Sequence, residues 1–172
     1  MSKGNFDTRV LAEIAIGVAL ATVLSYIKIF SMPYGGSVTL GSMVPILLIA
    51  FRRDVKVGVV TGVIYGFVQM FLDAWFYSPV GMALDYPIAF GILGIAGLFK
   101  KQPIIGVVVA MVGRFVSHFI SGVVFFGMYA PEGMNPVLYS ALYNGGYMLP
   151  EMIISAILIY LLVQRDVLNM NL

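Results

Sequence analysis

Four ionisable side chains lie inside long apolar runs of this chain: Asp85, Arg114, His118 and Glu151. A titratable group in such surroundings is costly and marks a binding site, an ion pathway or a proton relay. Near them in sequence stand Tyr86, Tyr139, Tyr143 and Asn144, and Trp75 is the only tryptophan. A carboxylate, an imidazole, an amide and several aromatic rings suit a flat, cationic, nitrogen-rich ligand. Aromatic faces attract cations, and one carboxylate fixes the charge and accepts from an amine. Blander readings stand beside this one. Trp75 and Tyr77 are also placed as interfacial anchors, His118 as a hydrogen-bonded core residue, and Asp85 as a helix-start acid favoured by the dipole. Several kinds of catalysis lack their residues. There is no cysteine, no G-x-x-x-x-G-K-[ST] phosphate loop, no H-E-x-x-H or G-x-S-x-G, and one histidine does not make a conventional zinc site. No metal site or cofactor is expected.

The elements that must position these groups are membrane spans. Of 172 residues, 60% are hydrophobic and 10% charged, against roughly a quarter charged in soluble domains. The mean hydropathy is +0.98. So few charges cannot cover a water-facing surface, so lipid is the solvent. The formal charge of +2 offers nothing to nucleic acid. Six apolar segments are read at about 10–30, 38–51, 57–72, 82–99, 103–128 and 136–163, near the roughly 17–25 residues a spanning helix needs. The first has mixed charge (Lys3, Asp7, Arg9, Glu13) and no small-residue cleavage site, unlike a signal peptide. The second is short and is read as only partly spanning, because Met32-Pro33-Tyr34-Gly35-Gly36 before it reads as irregular backbone dipping in from one side. Such backbone is tolerated at membrane depth only against protein or a watery cavity.

Placement of the basic residues sets the orientation. Lys3, Arg9, Arg52, Arg53, Lys56, Lys100, Lys101 and Arg165 lie in the tails and alternate turns, whereas the loops 31–37, 73–81 and 129–135 hold none. By the positive-inside rule both termini are cytoplasmic and the number of spans is even. No linker or repeat divides the chain, so 1–172 is read as one transmembrane substrate-binding domain. At about 1.5 Å per helical residue, His118 lies about 23 Å from the inner end of segment five. Asp85 falls in the first outer turn of segment four, and Tyr139, Tyr143 and Asn144 in the outer half of segment six. Three helices thus bring polar groups to one level near the outer surface. Arg114 and Glu151 lie deeper, about 16 and 18 Å from the inner ends. They are expected to form a structural ion pair or to share a polar network, with Asp85–Arg114 as the competing pairing. Asp85-Tyr86-Pro87 and Pro150-Glu151 each put a proline, which frees a carbonyl one turn back, beside a carboxylate. Gly58, Gly62, Gly66 and Gly91, Gly94, Gly97 read as close helix packing. The stripe Ala15 and Ala19, with Ala12 nearby, reads either as packing or as a docking face for another membrane subunit.

Longer runs carry a family resemblance. Leu11-Ala12-Glu13-Ile14-Ala15, the run Ser31 to Val38, Leu84-Asp85-Tyr86 with Ala89-Phe90 and Gly94-Ile95-Ala96-Gly97, the run His118 to Gly127, and Tyr139-Ser140 with Tyr143-Asn144 resemble the thiamine-specific S-components (the ThiT family) of energy-coupling-factor vitamin transporters. The resemblance runs in order along essentially the whole chain, and H-F-I-S-G-x-x-F-F-G with the later Y-S-x-x-Y-N is its specific part. It implies a six-helix protein of the bacterial cytoplasmic membrane that captures extracellular thiamine as cargo. Partners would be a transmembrane coupling subunit and two cytoplasmic ATPases, with no enzymatic activity in this chain. It also implies ligand contacts at Asp85, Tyr86, His118, Gly122, Phe126 (where the family has a stacking tryptophan), Tyr139 and Asn144, with Trp75 as a further aromatic contact. A tryptophan of the family's first outer loop falls near Gly36, leaving Tyr34 as substitute. Two other readings remain: an S-component for another vitamin, and a stand-alone ion-coupled permease with Glu151 and Arg114 as a proton relay.

Overall fold

A computed structural model describes residues 7–73 and 78–165 of the chain, apart from the side chains of Tyr34 and Asp73. Helix α1 (Thr8–Ser25) starts where Asp7 accepts from the Val10 amide at 2.8 Å, which meets one of the donors every helix start leaves open. A hairpin follows, β1 (Lys28–Ser31) antiparallel to β2 (Ser37–Thr39) with Phe30 opposite Val38 and Ser31 opposite Ser37. Its loop turns through Gly35 at φ +104°, a left-handed conformation that glycine adopts without steric cost. Helix α2 (Val44–Arg52) comes next. Helix α3 (Val55–Asp73) begins where Asp54 accepts from Val57 N at 2.8 Å. The helices α4 (Pro79–Phe99), α5 (Pro103–Phe125) and α6 (Pro136–Gln164) complete the bundle, each with proline in the first turn, where its missing N–H costs nothing.

Among the described residues, five helices are long and apolar enough to cross a membrane: α1, α3, α4, α5 and α6. The sixth expected span differs from a full helix. Segment two crosses as strand β2, a turn through Gly41 at φ +80°, and the nine residues of α2, about 13 Å of helix. Segment one also stops at Ser25 rather than reaching residue 30. The reason is local: Pro33, Gly35, Gly36 and Gly41 do not sustain a helix, and pairing β1 with β2 bonds the backbone by another route. Helix α2 is apolar nearly all round, and Ile46, Leu47 and Ala50 are wholly buried, as suits an element enclosed by other helices. The irregular stretch 32–36 is the loop that joins β1 to β2.

Glycines set the closest approaches. A Cβ on Gly62 would stand 2.1 Å from the Phe90 carbonyl oxygen, and one on Gly94 would stand 2.1 Å from Val59 N. Helix α3 thus lies backbone to backbone on α4, as the small-residue spacing suggests. Large apolar side chains such as Ile16, Leu20, Phe71 and Val124 point outward, toward lipid. At the inner end Arg53 donates to both Glu13 oxygens, at 2.7 and 2.5 Å, and Lys100 Nζ donates to the Arg53 carbonyl at 2.5 Å. The inner basic ring therefore joins α1, the α2–α3 turn and the end of α4.

Substituting Gly62→Ala should lower stability by about 1–3 kcal/mol, the usual cost of overpacking. Gly145→Ala, where a Cβ meets nothing within 4 Å, should leave it unchanged or slightly raised. Thermal unfolding of the two variants in detergent checks both expectations.

Candidate binding site

Helix α4 is not regular where it meets the candidate carboxylate. Pro87 has no N–H and its ring crowds the preceding turn, and residues Leu84–Ile88 open into a wide π turn. Such turns recur at functional sites because they re-aim side chains and release backbone groups. The Leu84 carbonyl is met by the Ser117 hydroxyl of α5 at 2.6 Å. Asp85, in the same turn, reaches α5 twice: Oδ1 lies 2.9 Å from His118 Nδ1, and Oδ2 accepts from the Ser121 hydroxyl at 2.8 Å.

The hairpin leans on α6 at two heights. Near its tip the Gly36 amide donates to the Tyr143 hydroxyl at 3.0 Å, and that hydroxyl donates to the Pro33 carbonyl. Lower down, Glu151 accepts from Thr39 N at 2.7 Å and from the Thr39 hydroxyl at 2.6 Å, and the Thr39 and Ser42 hydroxyls lie 2.8 Å apart. Tyr139, Tyr143 and Tyr147 follow at i, i+4 and i+8 on α6, their successive ring centroids 5.9 and 6.0 Å apart. Tyr147 also packs edge-on to His118, at 6.1 Å.

Between hairpin, α3, α4, α5 and α6 lies a cavity with an open mouth, about 1130 Å³ of space free of protein atoms. That figure includes the mouth and is ample for a small organic ligand. Asp85, Tyr86, His118, Gly122, Phe126, Tyr139 and Asn144, the residues singled out from sequence, all line it. Two of them do more than face the cavity. Asn144 is anchored mainly within α6: its Nδ2 donates to the Ser140 carbonyl at 2.9 Å and its Oδ1 accepts from Tyr147 at 2.9 Å, while Nδ2 reaches the His118 carbonyl of α5 only at 3.4 Å. Gly122 lets α6 approach α5 closely, since a Cβ there would stand 2.2 Å from Ser140 Oγ and 3.1 Å from Asn144 Nδ2. Trp75 lies outside the described residues, as does the side chain of Tyr34. Ala15 and Ala19 are exposed on the outward face of α1, away from the cavity.

The ion pair expected between Arg114 and Glu151 is not what the structure builds. Glu151, 1% exposed, is held by Thr39, whereas Arg114, 7% exposed, places Nη1 2.9 Å from Met43 Sδ and its guanidinium 4.5 Å above the Phe90 ring. Equal depth on two helices does not make two groups face one another, and here the chain from Thr39 to Met43 supplies a separate partner to each. Arg114 lines the cavity. Several lining residues escaped sequence reasoning. Tyr147 was legible from the four-residue spacing after Tyr143. Thr39, Ser42, Tyr65 and Gln69 carry no comparable signal, because polar neutral residues in a span are ordinary until their partners are known.

Comparisons with known proteins agree along the length of the chain. A family model described as thiamine transporter protein matches residues 11–170. A protein named thiamine transporter ThiT from Bacillus subtilis is 43% identical over 171 residues, covering 88% of each chain. One of the same name from Lacticaseibacillus paracasei is 29% identical over 176 residues, covering 87% of this chain and 84% of its own. A solved structure of ThiT from Listeria monocytogenes superposes with a TM-score of 0.85 at 28% identity, covering 94% of this chain and 96% of that one.

Tyr143→Phe removes the hydroxyl that meets both Pro33 and Gly36. Hydrogen exchange at the Gly36 amide should rise by about fivefold, the equivalent of about 1 kcal/mol for a lost hydrogen bond, with exchange in α3 unaltered. Unchanged protection at Gly36 would show that the hairpin tip is held by other contacts.

Proposed function

The chain belongs to the thiamine transporter protein family, and on that premise we propose that the outer cavity is where it captures thiamine before uptake. It is a multi-pass cell-membrane protein of transport rather than catalysis. The observation that carries the proposal is the make-up of the cavity wall. One carboxylate, Asp85, stands among Tyr86, Phe126, Tyr139, Tyr143 and Tyr147, and thiamine joins an aminopyrimidine to a cationic thiazolium ring. Aromatic faces attract such a cation and stack on both rings. Asp85 supplies the compensating negative charge, and His118, held against it, orients the polar edge of the cargo.

Uptake needs a partner to drive it. There is no phosphate-binding loop for ATP in the sequence. We propose an energy-coupling-factor assembly, with a transmembrane coupling subunit and two cytoplasmic ATPases. The exposed Ala15 and Ala19 on α1 would be the docking face, because small residues let a partner helix approach closely. The permease alternative relies on a relay between Glu151 and Arg114, and their separate partners lend it no support.

Titration of thiamine into detergent-purified protein, read by the fluorescence of the single Trp75, should saturate at one ligand per chain. Asp85→Asn should weaken binding by more than about tenfold, since a buried charge-assisted contact is lost, and near-normal affinity would remove Asp85 from the site. Ala15→Trp should leave binding intact and abolish uptake in cells carrying the ATPase module. Undiminished uptake by that variant would end the docking assignment, and uptake by vesicles without the module would favour the permease.

A further inference from the structure

Glu151 is buried, and among the described residues no cation touches it. Its Oε2 accepts from the Thr39 amide at 2.7 Å, and its Oε1 lies 2.6 Å from the Thr39 hydroxyl. That hydroxyl lies 2.8 Å from the Ser42 hydroxyl and accepts from the Ser42 amide at 3.1 Å. Three oxygens therefore stand in a row: Glu151 Oε1, Thr39 Oγ1 and Ser42 Oγ. Thr39 has one hydroxyl hydrogen and cannot give it to both neighbours, so the row has two settings. With Glu151 ionised, Ser42 donates to Thr39 and Thr39 to the carboxylate. With Glu151 protonated, both bonds reverse and the Ser42 hydrogen turns away from Thr39. The Thr39 amide keeps Oε2 an acceptor in either setting, so the proton belongs to Oε1.

The row ends at the cavity. Thr39 and Ser42 line it, and Glu151 stands behind them. The ionisable groups around the carboxyl are Arg114 of α5 and Tyr65 of α3, with Tyr147 one turn up its own helix. Strand β2 and the start of α2 bring none. Arg114 is turned to Met43 Sδ and the Phe90 face. A buried carboxyl without a contacting cation is better held as the acid until a positive charge arrives nearby.

We propose that Glu151 carries a proton while the cavity is empty and gives it up when a cation enters, so that capture of a charged cargo is linked to proton release. The proposal rests on the thiamine reading for the identity of that cation. The cargo adds one positive charge whichever group it touches, and in surroundings of low dielectric that charge favours the Glu151 carboxylate. On release the Oε1 proton passes to Thr39 Oγ1, the Thr39 hydrogen to Ser42 Oγ, and the Ser42 hydrogen to water in the cavity. The result is the ionised setting of the row, reached without turning a hydroxyl. The proton leaves and returns through the cavity, so none crosses the membrane. The ionised protein binds the cation better, and affinity therefore rises with pH. Glu151 thereby favours a charged cargo over a neutral one of the same shape.

Calorimetry on detergent-purified protein tests this. Thiamine binding should tighten at least about fivefold from about pH 6 to about pH 8, within the limit of about tenfold per pH unit that one linked proton sets. Enthalpies in two buffers of different ionisation heat should show protons released. Glu151→Gln copies the protonated group in shape and hydrogen bonding, so it should still bind thiamine, release fewer protons and lose most of the pH slope. Asp85 and His118 are present in both proteins, so the difference between them belongs to Glu151. An uncharged thiamine analogue, with carbon in place of the thiazolium nitrogen, should not draw that proton from the wild type. Infrared difference spectra of wild type carrying 13C-carboxyl glutamate give a second reading that needs no variant. Thiamine should abolish a protonated-acid band, which Glu13, paired with Arg53, and the exposed Glu132 do not supply. Equal pH slopes in wild type and Glu151→Gln, or no loss of that band, would overturn the proposal and leave the thiamine reading in place. No binding of thiamine at all would overturn both.

Discussion

Away from water, a peptide N–H or C=O that leaves a helix must find another partner or cost several kcal/mol. Two of the six crossings in this protein leave helical geometry, at the hairpin with its short helix α2 and at the π turn of α4. Each is repaired by side chains of α5 and α6. Ser117 meets the Leu84 carbonyl, Tyr143 meets Gly36 and Pro33, and Glu151 meets both donors of Thr39. The cavity lies among these repairs. Were both crossings straight helices, the groups that bound the cavity would be consumed in their own ladders and the bundle could close over it.

The same requirement explains why polar residues are few and concentrated. Each ionisable group in the interior has a stated neighbour. Asp85 bonds His118 and Ser121, Glu151 bonds Thr39, and Arg114 rests on a thioether and an aromatic face. None of these arrangements gains much stability by itself, since burying charge is expensive even when it is paired. They fix orientation instead, and a binding site requires orientation from its wall. The glycine contacts of α3 on α4 serve that purpose from behind. They bring Tyr86 and Pro87 against Gly66 and so set where the π turn sits.

A large part of the site was legible before any coordinates. Asp85, His118, Tyr139 and Asn144 are placed near one level by residue counting along helices, which succeeds because rise per residue is nearly constant. The same counting failed for Arg114 and Glu151. Depth is one coordinate, and the angle at which each side chain leaves its helix, together with whatever chain lies between, determines whether two groups meet. Asn144 shows a subtler shortfall, since its amide is largely committed to Ser140 and Tyr147 of its own helix.

Composition determined by itself that the chain lives in lipid, and the placement of lysine and arginine led to the expectation that its termini share the cytoplasmic side. These follow from solvation energies that act residue by residue. Only the tertiary structure decided that segment two crosses as a strand and a short helix, that Glu151 clasps Thr39, and that His118 turns a nitrogen to Asp85. Those outcomes depend on which backbone groups lack a partner and which side chain arrives to meet them. That is a property of several segments packed together, and no single segment of the sequence carries it.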